Sequence, residues 1–206
     1  MFGRLRSLMT TVLTPVARRL LRLGVTPDAV TIAGTVAVTV LALTLLPLGH
    51  LMLGGLLIGL FALLDSLDGV LARLSGRAGQ WGAFLDSTLD RVSDGAVFAG
   101  ITLYFVLHPT APHATWGAMA ALACLALGGV VPYARARAEA VGATARNGIA
   151  ERTDRLVIGL APLAFTQVGL PMVAATTALT VLAVASAVTV GQRVGTVRRQ
   201  LARATR

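Results

Sequence analysis

The chain has 206 residues, 55% of them hydrophobic, with a mean hydropathy of +0.77, far above what a water-soluble domain of this length carries. All 18 basic residues are arginine, against 9 acidic ones, for a net charge of +9. No basic stripe is interleaved with aromatic stacking platforms, so the charge argues against nucleic acid and for membrane topology.

Residues 1–27 do not read as a cleaved signal: arginines continue through Arg22, and no short apolar core leads to a small-residue site. Leu5, Met9, Val12, Leu13, Val16 and Leu20 recur mostly at helical spacing against Arg4, Arg6, Arg18, Arg19 and Arg22. That pattern predicts an N-terminal amphipathic helix lying in the membrane interface, its arginines toward anionic headgroups and its axis kinked at Pro15.

Thr26-Pro27-Asp28 then signals a helix start. Three runs without Asp, Glu, Lys or Arg follow, at 29–64, 95–134 and 156–192. At about 1.5 Å rise per residue, each is roughly 54–60 Å of helix, close to two crossings of a core about 30 Å thick. Each run has a turn signal near its middle: Pro47–His50, His108–His113 and Thr166–Pro171.

The prediction is an all-α integral membrane protein of six transmembrane helices arranged as three hairpins. The spans run at about 28–46, 51–74, 81–107, 115–141, 153–167 and 171–197, and a basic interfacial tail begins at Arg198. No linker or composition break divides residues 1–206, so they form one membrane domain. Every formal charge falls on one side, and His50, His108 and His113 fall on the other. The positive-inside rule makes the charged side, with both termini, cytoplasmic. Cys124 lies alone in an apolar run, so no internal disulfide forms.

The charged connections carry the chemistry. Asp65 and Asp68 stand three apart and Asp86 and Asp90 four apart, so each pair occupies one face of a helix. The glycine-containing link Ser75–Gly79 lets the second helix turn back beside the first. The apolar run 51–64 is too short to cross alone, so Asp65 and Asp68 reach only the inner edge of the bilayer, the depth of the first turns of span three. Salt bridges to Arg73, Arg77 and Arg91 are the structural alternative. Four carboxylates at these spacings fit a hard-cation site better, because clustered carboxylates repel one another unless cations sit between them. Two divalent cations, magnesium or else manganese, suit phosphoryl transfer. Asp94 continues the ladder and either supports the site or pairs with a buried arginine.

The order Asp65-x2-Asp68-Gly69-x2-Ala72-Arg73-x8-Gly82-x3-Asp86-x3-Asp90 resembles, at all eight positions, the signature of the CDP-alcohol phosphotransferases. The resemblance implies that Asp65, Asp68 and Asp86 are metal ligands, and that Asp90 is a ligand or near-ligand that also serves as general base. It implies that Asp68, Gly69 and Arg73 hold the nucleotide of CDP-diacylglycerol. Asp28, Ala29, Val30 and Thr31 at the start of the first span join them, as does Gly79, through backbone only.

Tyr133–Glu139, Glu151–Arg155 and Gln192-Arg193 further resemble the actinobacterial phosphatidylinositol phosphate synthases within that family. This branch implies inositol 1-phosphate as acceptor, bound by Arg135, Arg155 and Arg193, and a homodimer among membrane lipids in a bacterial cytoplasmic membrane. Arg135 stands where lysine is usual, and Pro132 where serine is usual. The alternative within the family is glycerol 3-phosphate as acceptor. A cation-coupled transporter is more remote, since no charge marks a path across the membrane.

Overall fold

The computed structural model describes residues 13–145, 147–148 and 152–204. These are helical, without a strand: α1 (residues 13–22), α2 (Pro27–Leu45), α3 (Leu51–Leu64), α4 (Ser66–Leu74), α5 (Gln80–Leu107), α6 (Ala114–Ala140), α7 (Arg152–Phe165) and α8 (Met172–Ala204). The first half of the predicted interfacial helix lies outside the described residues. Its second half is α1, which buries Leu13 and Ala17 against Leu67, Val70 and Leu71 of α4 and leaves Arg18, Arg19 and Arg22 exposed.

Local chemistry sets the ends of the elements that carry the charged stretch. Thr26 Oγ1 accepts the Ala29 N–H at 3.2 Å, and Pro27 follows in the first turn, so α2 starts where its sequence signal lies. Asp65 joins α3 to α4 in right-handed conformation, its N–H still donating to the Phe61 carbonyl. The two helices therefore continue one path. Gly76 at φ +67° ends α4, and the Arg77 N–H closes back on the Ala72 carbonyl at 3.0 Å. This left-handed C-terminal turn redirects the chain toward α5.

By length and composition, four helices can cross a membrane: Pro27–Leu45, Leu51–Leu74, Ala114–Ala140 and Met172–Arg203. The long α5 is less apolar because the acidic ladder occupies its first half, and α7 is short. The helix predicted over 153–167 ends at Phe165 and passes into a 3-10 turn, Thr166–Val168, and the basic tail from Arg198 continues α8 as helix to Ala204.

The core is built around α5, whose Val97, Phe98, Ile101 and Phe105 are buried with Ala42, Leu46, Ile58, Leu163, Leu179 and Leu182. Gly100 lets α2 and α5 touch: a Cβ there would collide with the Ala42 carbonyl. At the end away from the acidic residues, the three turns between paired helices meet. Gln167 Nε2 donates to the Gly49 carbonyl at 2.8 Å, and its Oε1 accepts the Met52 N–H at 2.6 Å, capping α3 from across the fold. His108 packs against the same Gly49, where a Cβ would sit 3.5 Å from Nε2.

Candidate active site

The junction of α3 and α4 faces the first turns of α5. Asp65, Asp86 and Asp90, all partly buried, each offer a carboxylate oxygen, and these atoms lie within 4.8 Å of one another. Arg91 Nη2 stands 3.4 Å from Asp90 Oδ2. Three carboxylates crowded this closely repel one another, and a hard divalent cation with oxygen preference relieves that repulsion; the donor set fits such an ion. Asp68 belongs to a different set of contacts. Its Oδ2 accepts from the Thr31 hydroxyl at 2.6 Å, and its Oδ1 accepts the Gly69 N–H. The structure thus brings three of the four predicted ligands together and turns the fourth toward α2.

Beside this cluster lies a cavity of about 200 Å³, walled by Asp28 and Thr31 of α2, Asp68, Gly69 and Arg73 of α4, Arg77 and Gly79 of the link, and Gly82 and Asp86 of α5. Asp86 therefore faces both the carboxylate cluster and the cavity. A Cβ at Gly79 or Gly82 would meet no heavy atom within 4 Å, so the missing side chains leave open volume. Ala29 and Val30 do not line it. Ala29 is exposed, with its N–H spent on Thr26, and Val30 packs toward the α1–α4 contact. Two residues escaped sequence reasoning as parts of the site. Arg77 brings a second guanidinium to the cavity, and Trp81 donates Nε1 to Oδ2 of the wall residue Asp28 at 2.9 Å.

The three arginines beyond the ladder differ in setting. Arg193 is held by backbone carbonyls, Nε donating to Asn147 at 3.0 Å and Nη1 to Val131. Arg135 pairs with Glu139 at 3.2 Å, both side chains half exposed. Arg155 is 3% exposed, its Nη2 3.1 Å from Asp94 Oδ2. Of the two roles open to Asp94, the structure shows the buried partner of an arginine. Pro132 lies inside α6, next to the Val131 carbonyl that anchors Arg193.

A helical membrane architecture with a carboxylate cluster beside a glycine-lined, arginine-bearing cavity defines a class that handles phosphate esters at the membrane edge. Residues 24–190 match the family model for CDP-alcohol phosphatidyltransferase, and the chain belongs to that family of enzymes. It is similar to the phosphatidylinositol phosphate synthase of Streptomyces avermitilis, 45% identical over 97% of this chain and 83% of that protein. The enzyme of the same name from Mycobacteroides abscessus is 46% identical over 94% and 86%. Among solved structures, Mycobacterium tuberculosis phosphatidylinositol phosphate synthase in complex with manganese and citrate superposes with a TM-score of 0.84 at 43% identity, covering 90% of this chain and 88% of that one. The same enzyme with CDP-DAG bound gives 0.85 at 42%, covering 91% and 94%.

Proposed function

We propose that this enzyme transfers the phosphatidyl group of CDP-diacylglycerol to a hydroxyl of inositol 1-phosphate, giving phosphatidylinositol phosphate and CMP. The observation that carries the proposal is the convergence of Asp65, Asp86 and Asp90 beside a cavity whose walls carry the nucleotide-binding positions of the family signature. Relatives at 45% and 46% identity bear the name of this activity.

Asp65, Asp86 and Asp90 hold divalent cations, magnesium or manganese, with Asp68 as a further ligand once its carboxylate turns from Thr31. When bound, two such ions neutralise the pyrophosphate and stabilise the attacking and leaving oxygens. Arg73 and Arg77 supply cationic forks to the nucleotide phosphates. Asp28, fixed by Trp81, and Thr31 border the nucleotide, while Gly69, Gly79 and Gly82 let its backbone-facing edge approach. Asp90 takes the proton of the attacking hydroxyl, the new oxygen–phosphorus bond forms on the lipid-linked phosphorus, and the bond to CMP breaks. Arg135 and Arg193 hold the acceptor phosphate on the other side of the ladder, with Arg155 beside them.

The same proposal covers the setting. Residues 1–206 form one membrane domain of six crossings in three hairpins, preceded by the interfacial helix, in a bacterial cytoplasmic membrane. The acidic cluster and both termini face the cytoplasm, and the protein is a homodimer surrounded by lipid. The meeting of the three turns at the end opposite the carboxylates supports the hairpin arrangement.

The test is CMP release by purified protein supplied with CDP-diacylglycerol, Mg²⁺ and inositol 1-phosphate. Asp90→Asn is expected to abolish release while the protein still folds and binds CDP-diacylglycerol. Wild-type turnover in that variant would remove Asp90 from the mechanism.

A further inference from the structure

Asp94 is the deepest carboxylate of the α5 ladder, four residues beyond Asp90 and on the same helix face, where Cβ atoms lie about 6 Å apart. It is buried, 3.1 Å from the guanidinium of Arg155, with side-chain exposures of 4% and 3%. The pair joins α5, which carries two of the clustered carboxylates, to α7, which follows the arginine-rich connection. A small cavity of about 20 Å³, space for a single water, is lined by both Asp65 and Asp94, with Ser93 between α5 turns. Asp94 therefore borders the carboxylate cluster on one side and the arginines on the other. Nε of Arg155 has no hydrogen-bond partner among the described residues.

This placement poses an electrostatic problem. The Arg155 guanidinium is buried against Asp94, the carboxylate one helical turn beyond Asp90, and a buried charge is costly to leave uncompensated. With Asp94 neutral, Asp65, which lines the same small cavity as Asp94, offers Arg155 another carboxylate. Arg155 would then compete with the metal for Asp65 and leave the acceptor side.

We propose that Asp94 is a positioning residue: as counter-ion of Arg155, it holds that guanidinium on the acceptor side and keeps it off the carboxylates of the cation cluster. One buried anion thus separates a site that needs bare carboxylates from a site that needs bare guanidinium groups. The acceptor half of the inference rests on the function proposed above. The metal half does not, because Mn²⁺ binding can be read without turnover.

The experiment uses full-length protein in detergent. Mn²⁺ affinity is read from the free-ion electron paramagnetic resonance signal, and the KM for inositol 1-phosphate from CMP release. Asp94→Asn is expected to weaken Mn²⁺ binding roughly ten- to a hundred-fold, the usual range for losing a residue that orients metal ligands, and to raise the acceptor KM. The double variant Asp94→Asn/Arg155→Gln, which carries no stray guanidinium, is expected to recover wild-type Mn²⁺ affinity while its acceptor KM stays high. A role confined to packing predicts no such recovery. Wild-type Mn²⁺ affinity in Asp94→Asn overturns the proposal. So does a double variant that binds Mn²⁺ weakly, which remains decisive if the single variant fails to fold. If the wild type binds Mn²⁺ but does not use inositol 1-phosphate, the functional proposal fails and the Mn²⁺ comparison still decides the role of Asp94.

Discussion

Arg193 offers the sharpest quantitative prediction, because its surroundings separate two kinds of loss. Its Nε and Nη1 are spent on the Asn147 and Val131 carbonyls, which fixes the guanidinium plane and leaves Nη2 to an anion. Arg193→Ala removes a charged partner of the acceptor phosphate, worth on the order of 1.5–3 kcal/mol, or roughly ten- to a hundred-fold in the KM for inositol 1-phosphate. It also removes two tethers between α8 and the α6–α7 region, at about 0.5–1.5 kcal/mol each, so a fall in thermal stability is expected as well. Arg135→Ala is the control. It pairs with Glu139 at a half-exposed surface, a contact worth about 0–1 kcal/mol to folding, so its acceptor KM should rise with stability nearly unchanged. Arg193→Lys keeps the charge but cannot hold two carbonyls and a phosphate at once, and should fall between wild type and Arg193→Ala. Steady-state kinetics with each substrate varied in turn decides the matter. The KM for CDP-diacylglycerol should hardly move in any of the three variants. An equal rise for both substrates would refute an acceptor-binding role and leave these arginines as topology determinants.

Further outcomes follow from the nucleotide side and from the fold. Trp81→Phe loses the bond to Asp28 at an exposed site, about 0.5–1.5 kcal/mol, and should raise the CDP-diacylglycerol KM roughly two- to ten-fold without changing that of the acceptor. Gly82→Leu places a side chain where no atom lies within 4 Å of the new Cβ. Thermal melting should show stability kept or gained by roughly 0.5–1 kcal/mol from helix propensity, while CDP-diacylglycerol binding falls more than tenfold as the cavity fills. In a Cys124→Ala background, cysteines at His50, Pro109 or Gly169 should react with an impermeant thiol reagent outside intact cells, and those at Gly76 or Asn147 should not. The reverse labelling would place the acidic cluster outside.

The parts of the fold set by local chemistry were legible in the sequence. Thr26-Pro27, Gly76 and the mid-run turns begin, end or join helices where their residue types demand it. Asp65, Asp86 and Asp90 converge because helical spacing and a short link leave them little choice. Contacts between distant residues were not legible. Asp68 turns to Thr31 across 37 positions and Arg155 to Asp94 across 61, and no periodicity ranks one arginine above another as a buried partner. The tie from Trp81 to Asp28 and the cap that Gln167 places on α3 are of the same kind. The helix over Gln80–Leu107 was legible at both ends, but not that its second half would form the centre of the core.

The most direct measurement gives purified protein CDP-diacylglycerol and Mg²⁺ with either inositol 1-phosphate or glycerol 3-phosphate, and identifies the lipid product by mass spectrometry alongside CMP. The account predicts phosphatidylinositol phosphate and stoichiometric CMP with inositol 1-phosphate, and little of either product with glycerol 3-phosphate. Phosphatidylglycerol phosphate formed from glycerol 3-phosphate, with inositol 1-phosphate left unused, would contradict it.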